Sequence, residues 1–267
     1  TYDLVIGLRY ESAQPVYSAF DRCGLNPKKI FLPIDLHYLR ELRRADVTGS
    51  ENERERALET KKRELAVVAE SDITLVHSSF EQEELAKECP SSDVRVSPII
   101  TDVMGCNAPF ESRKDICFVG GFQHTPNGDA VLFFVNEVLP LVLKEIPDVV
   151  FKVIGSKTPP EVEALQGPNV EILGFVPDLE PIWSSVRVSV APLRFGAGVK
   201  GKVCMSLSYG VPVVCTPVAA EGMGLQDGKE VLIGTTPPEL AAQLVRAYTD
   251  RRVWSSLSVA GMRLVDE

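Results

Sequence analysis

Short apolar runs alternate with amphipathic stretches along most of this chain. Leu4 to Leu8 predicts a short buried strand, and Lys29 to Pro33, Ile73 to Val76 and Val94 to Val96 predict three more. Glu11 to Cys23 carries Val16, Ala19 and Phe20 at helical spacing, with Gly24 as its stop. Arg40 to Glu64 is dense in both charge signs, the pattern of solvated helices, and Val47-Thr48-Gly49-Ser50 marks a break within it. Leu58, Leu65, Val68 and Ala69 give the second of those helices an apolar edge. Ser78 with Glu81 three residues on predicts a capping box, and Cys89-Pro90 closes the helix it opens. Ser97 to Arg113 has no clear period, holds two prolines and reads as a connection.

A fresh alternation begins at Asp115. Ile116 to Val119, Val149 to Ile154, Val170 to Leu173, Val186 to Ala191, Val213 to Cys215 and Val231 to Ile233 predict strands. The helix after the first of these is capped by Thr125 or Asn127 and turns Val131, Phe134, Val135 and Val138 inward. Pro140 starts a separate helical turn, Pro159 to Leu165 and Leu179 to Ser185 are short helices, and Pro237 to Tyr248 and Arg252 to Leu264 are terminal ones. Strands and helices in this alternation predict an α/β fold with parallel sheets covered on both faces. The boundaries drawn are 1–104, a linker over 105–114, and 115–267.

Right-handed crossovers gather the loops after parallel strands along one edge. Gly120 to Asn127, Gly174 to Asp178 and Leu193 to Lys202 are therefore expected to line one crevice. The third is the most informative: a strand, Gly196-Ala197-Gly198, then a helix with Lys200 and Lys202 near its start, ended by Gly210. Such a unit seats a phosphate on free helix N–H groups, and Arg194, Lys200 and Lys202 add positive charge. An ordinary crossover with surface lysines has the same outline. Asp35 and His37 follow a predicted strand end and face the crevice, or else His37 is an early helix residue hydrogen-bonded locally.

At 267 residues and 45% hydrophobic, the chain can bury one large core or two smaller ones. A net charge of −9 argues against nucleic acid as a general partner. Cys23, Cys89, Cys106, Cys117, Cys204 and Cys215 are scattered without metal-type spacing, and Cys117, Cys204 and Cys215 read as small buried hydrophobes. Neither a signal peptide nor a membrane-length apolar run is present, so a cytoplasmic location is expected. The chain opens directly in a strand, which suggests a fragment of something longer.

ICFVGGFQHTPNGDAVLFF, VEILGFVPDL, VAPLRFGAGVKGKV, YGVPVVCTPVAAEGM and GKEVLIG resemble, in that order, the donor-binding domain of retaining family 4 glycosyltransferases. DLHYLRELRR and DITLVHSSFEQEEL resemble the later half of that family's other domain. The resemblance implies a GT-B fold: two Rossmann-type domains, the N-terminal one truncated and the C-terminal donor domain complete or nearly so. It implies sugar transfer with retention from a nucleotide-diphosphate-sugar to a glycan or lipid-linked acceptor, with no cofactor and no metal. Cell-envelope polysaccharide is the family's commonest destination, which leaves open peripheral contact at the inner face of the membrane or a place in a larger multidomain chain. A non-catalytic GT-B-like binding module is the alternative, and a nucleotide-sugar epimerase a third. By the resemblance, Gly120, Gly121 and Phe122 approach the donor phosphate, with Gln123 and His124 where the family often has Arg or Lys. Gly174, Phe175 and Val176 read the nucleobase, Arg194 with Gly198, Val199 and Lys200 seats the diphosphate, and Glu221 lies near the sugar. Met205 stands where the family usually places the Glu that holds the ribose, and a Met suits a dry helix face.

Overall fold

The computed structural model describes residues 2–105 and 108–267, so Cys106 lies outside the described residues. Two compact units result. Unit 1 comprises residues up to Ile100 together with Phe195–Val199 and Glu221–Met223, and unit 2 comprises the remainder.

In unit 1 the chain runs β1 (Leu4–Leu8), α1 (Arg9–Arg22), β2 (Lys28–Leu32), α2 (His37–Thr48), α3 (Glu51–Glu70), β3 (Ile73–Val76), α4 (Ser79–Glu88) and β4 (Val94–Val96). All four strands are parallel and lie in chain order, β1-β2-β3-β4. Tyr17, Phe31, Leu36, Tyr38, Val67, Val68 and Leu85 form the core. β1 is not the buried strand its composition predicts: it is a sheet edge, and Leu4, Ile6 and Leu8 all point to the uncovered face. Gly49, in the left-handed conformation at φ 65°, ends α2, and the Ser50 side chain accepts the Glu53 N–H to start α3, where the sequence places the break. The inward face of α3 also differs from expectation. Leu58 and Ala69 are exposed, and Ala57, Thr60, Glu64, Val67 and Val68 are buried. The face rotates because Glu64 is needed inside, where its carboxylate accepts the N–H groups of His37 (3.2 Å) and Tyr38 (3.0 Å). Those are the first two amides of α2, whose cap position is Leu36 and has no side-chain acceptor of its own. At α4, Ser78 caps Glu81 N–H as expected, but the Glu81 carboxylate turns to the Ser78 hydroxyl (2.9 Å) and the His77 N–H (3.2 Å) rather than to the Ser78 amide.

Unit 2 continues with β5 (Lys114–Val119), α5 (Thr125–Phe133), a π-helical turn over Phe134–Val138, α6 (Leu139–Val142), β6 (Phe151–Ile154), α7 (Pro160–Glu163), β7 (Val170–Gly174), α8 (Glu180–Ser185), β8 (Val186–Ala191), α9 (Gly201–Ser208), β9 (Val213–Cys215), α10 (Pro217–Ala220), β10 (Leu232–Ile233), α11 (Pro237–Thr249) and α12 (Arg251–Asp266). Its six strands are all parallel in the order β10-β9-β8-β5-β6-β7. The widened turn before α6 accommodates Pro140, which has no N–H to give the preceding turn. Val135, on that turn, is only partly buried. Arg113, at the end of the connection, is buried. It donates to the carbonyls of Ala108, Trp183 and Val186 at 2.8–3.0 Å and so ties the connection to the start of β8. Cys117 and Cys215 are buried as expected, whereas Cys204 is partly exposed on α9.

Candidate functional site

The strand order of unit 2 fixes where a ligand crevice falls. From β5 the chain proceeds to β6 and β7 on one side, then returns to β8 on the other. The loops leaving the carboxyl ends of β5 and β8 therefore diverge, and in open parallel sheets that divergence opens the binding crevice. The residues at this place are Gly120 to Asn127 after β5, and Leu193 and Arg194 followed by Lys200 and α9 after β8.

Backbone contacts stitch the loops after β5, β6 and β7 together. Gly120 N–H donates to Ile154 O (2.9 Å), Phe122 N–H to Ser156 O (3.0 Å), and Gly155 N–H to Gly174 O (2.8 Å). Gly155 and Ser156, which no sequence motif singles out, are thus the link between the expected phosphate loop and the expected base-reading loop. A Cβ on Gly155 would lie 2.0 Å from Gly120 O, a clash with backbone that no side-chain adjustment relieves. Gly155→Ala is therefore expected to cost about 2 kcal/mol, within the usual range for a strained site. At roughly 2–4 °C per kcal/mol this lowers the thermal midpoint by about 4–8 °C. An unchanged melting curve counts against this packing. In the β7 loop, Gly174 takes the left-handed conformation at φ 65°, Phe175 is exposed and Val176 packs into the apolar cluster around Trp183.

Neither Thr125 nor Asn127 caps α5; His124 holds the cap position, without a side-chain cap bond. Asn127 does something else. Its Nδ2 donates to Gly121 O (2.7 Å), and its Oδ1 accepts from the Lys202 ammonium, which reaches over from α9. The ammonium also lies 4.3 Å from the centre of the Phe118 ring. A Cβ on Gly120 would fall 2.8 Å from Asn127 Nδ2 and 3.0 Å from Lys202 Nζ, so a larger residue there would displace these side-chain ends. Burial, reinforced by the like charge of Lys200, pulls the Lys202 ammonium down to about 7. Lys200 is buried and occupies the cap position of α9, its carbonyl receiving the N–H groups of Val203 and Cys204. Among the described residues no side chain caps α9, and its first turn holds no acidic residue.

Two predicted site residues are otherwise placed than the sequence suggested. The Arg194 guanidinium is forked onto Asp129, with Nε 2.9 Å from Oδ2, and lies over the Phe133 ring; its charge is already matched by a carboxylate. Met205 is 38% exposed rather than set in a dry face, because the fifth position of α9 points outward.

The remaining predicted residues belong to unit 1. Asp35 and His37 are both buried, with His37 Nε2 3.2 Å from Asp35 Oδ1 and Arg40 on the other oxygen. His37 is the first residue of α2, its Nδ1 3.4 Å from Glu11. Burial is the largest single influence and opposes charge on both, but their mutual hydrogen bond, added to the attraction between them and, for Asp35, to Arg40, outweighs it, holding the Asp35 carboxyl below its ordinary range and the His37 imidazole above. Gly198 is left-handed (φ 68°), and a Cβ there would lie 2.9 Å from that of Asp35. Ala197 is part of the unit 1 core. Glu221 receives both terminal nitrogens of Arg43 (2.8 and 2.7 Å), and Arg43 also donates to Gly196 O (2.8 Å). Arg43, in a charged run typical of a solvated face, carried no signal in the sequence. Among the described residues no helix is long and apolar enough to cross a membrane.

Comparison with known proteins is consistent with this architecture. An uncharacterized 44.6 kDa protein in the cps region of Klebsiella pneumoniae is 25% identical over 153 residues, 54% of this chain and 37% of that protein. Sucrose-phosphate synthase from Thermosynechococcus elongatus superposes with a TM-score of 0.77 at 18% identity, covering 99% of this chain and 69% of that one. TarM gives 0.77 at 13% identity (98% and 51%), and HepE of Anabaena, solved with UDP and glucose, 0.73 at 12% (99% and 73%). The chain thus spans little more than a third of its curated relative and half to three quarters of these structures, and its fold is that of GT-B glycosyltransferases. Residues 113–250, more than half of the 267, match the model for glycosyl transferases group 1, and the chain belongs to that family.

Proposed function

We propose that this chain serves a glycosyltransferase that moves a sugar, with retention, from a nucleotide-diphosphate-sugar to a glycan or lipid-linked acceptor in cell-envelope polysaccharide synthesis. Catalysis would take place on the cytoplasmic side, with residues 115–267 as the donor domain and no cofactor beyond the donor itself. The observation that carries this is the pair Lys200 and Lys202 at the uncapped start of α9, beside the glycine loop after β5 at the sheet's switch point. Breaking the glycosidic bond leaves negative charge on the departing diphosphate. Cations and peptide N–H groups already in place stabilise that charge without reorganising. In this assignment Gly120, Gly121, Phe122 and His124 line the phosphate side, and Gly174 to Val176 meet the base. Asp35, His37 and Glu221 are assigned to the sugar and acceptor.

Calorimetry with UDP, GDP and ADP tests the donor site. Micromolar binding of at least one is expected, and indifference to all three overturns the assignment. A binding module without turnover is the second reading, favoured by Met205 and by the pairing of Arg194 with Asp129. Binding without transfer from any nucleotide-sugar would select it.

Met205 gives a sharper test. A carboxylate accepting a ribose hydroxyl contributes about 1.5–3 kcal/mol. Met205→Glu is therefore expected to tighten nucleoside diphosphate binding roughly ten- to a hundredfold. Binding of inorganic diphosphate, which has no ribose, should not change. Equal effects on both ligands would show that position 205 does not meet the ribose.

A further inference from the structure

We propose that Lys202 takes up a proton when a nucleoside diphosphate enters the crevice beside it, so that donor binding by this chain is linked to pH. This rests on the donor-site assignment above.

The loop from Gly120 to Gly128 contains no lysine or arginine. The ammonium beside it comes instead from α9, and the groups it touches are uncharged. Lys202 Nζ is held by the Asn127 Oδ1 and the face of Phe118, and among the described residues no carboxylate is bonded to it. Asn127 cannot turn to offer its own N–H groups elsewhere, because Nδ2 is committed to Gly121 O.

The charged groups on the elements around Lys202 do not supply a counterion. Lys200, on its own helix start, is a like charge. On α5, Asp129 is taken by Arg194, and His124 stands at the helix start. On β5, Asp115 lies at the opposite end of the strand and pairs with Lys152 (3.0 Å). On β8, Arg187 lies near the start of the strand and donates to backbone carbonyls.

A half-buried lysine whose ammonium rests on an amide oxygen and an aromatic face, beside a second cation, sheds its proton readily, and Lys202 is pulled down to about 7. An arriving diphosphate reverses both causes at once by supplying the missing negative charge. The proton moves from solvent to Nζ, no other bond changes, and the bound state holds an ammonium–phosphate pair. By linkage, binding then weakens as pH rises above 7, by up to about tenfold per unit while the bound pKa stays higher.

The test is calorimetry of UDP and GDP at pH 8, in HEPES and in Tris, whose ionisation enthalpies differ. At that pH the diphosphate is fully ionised, so any uptake belongs to the protein. About 0.5–1 proton taken up per nucleotide is expected for the native chain. Lys202→Arg keeps the charge permanently and leaves His124 in place, so it should bind with uptake near zero. Nucleotide binding with no uptake, or with equal uptake in Lys202→Arg, overturns the proton link and leaves the donor site standing. Failure of the native chain to bind either nucleotide overturns both.

Discussion

Lys200→Ala is expected to lower sugar transfer from a nucleotide-sugar donor by about 10²–10³-fold, the loss seen when one preorganised stabiliser of developing charge is removed. The reasoning is comparative. Three cationic side chains stand near the start of α9, but they are not equivalent. Arg194 is neutralised by Asp129, and the Lys202 ammonium is weakened by burial and by its neighbour. Lys200 occupies the cap position itself, where the helix end adds about 0.3–1 kcal/mol toward any anion and more when partly buried. Arg194→Ala should therefore cost less than about tenfold, as expected of a half-exposed pair. The measurement is initial rate with saturating acceptor, alongside a melting curve to show that each variant is folded. A Lys200→Ala protein with native turnover would remove the leaving-group role, and equal losses at 194 and 200 would remove the distinction drawn from Asp129.

The alternation of strands and helices was legible because parallel sheets buried on two faces need largely apolar strands: Ile116 to Val119 is a continuous apolar run, and Val186 to Ala191 is apolar but for Arg187 and Ser189. Glycine loops after those strands were legible for the same reason: their positions follow from the topology. What escaped was every feature that depends on a partner distant in sequence. Asn127 has the composition of a helix cap, and only its position on the first turn, with Lys202 coming from 75 residues away, gives it another task. Gly155 looks like any strand-ending glycine until Gly120 O is found against it. Leu4, Ile6 and Leu8 read as buried because periodicity reports apolarity, and a sheet edge can be apolar without being covered. Arg43 and Glu64 sit in a run where both charge signs alternate, and such runs usually face water; here Arg43 forks onto Glu221, and Glu64 is drawn inward.

Glu64 leads to the second large effect: its carboxyl should withdraw about 2–3 kcal/mol of stability between pH 5 and pH 8, read as the difference between the native chain and Glu64→Gln. The carboxyl is fully buried. Burial raises it from 4.5 to about 7, although the Tyr38 and His37 amides and the charge of His37 pull the other way. A group raised in the folded state contributes stability that is complete below its unfolded value and is lost as pH climbs through the folded one. The window here runs from 4.5 to about 7, and each unit is worth about 1.4 kcal/mol. His37, raised above 6.5, adds loss of the same sign at the upper end. Asp35, held below 3.8, acts oppositely and only in stronger acid. Glutamine retains an oxygen for one of the two amides of α2 but has nothing to titrate, so its curve should keep only the slopes Glu64 does not supply: the falls from His37 and Glu81, both raised, and the rise above pH 7 from Lys202, held below its ordinary value. Urea unfolding at pH 5, 6, 7 and 8, followed by far-ultraviolet circular dichroism, measures this; tryptophan emission would not, since Trp183 and Trp254 both lie in unit 2. Hydrogen exchange at the His37 and Tyr38 amides supplies a local readout, with protection falling as pH rises more steeply in the native chain than in the variant, after correction for intrinsic exchange. Parallel pH curves for the two proteins would mean that the Glu64 carboxyl titrates alike folded and unfolded, and that burial beneath α2 does not set its charge.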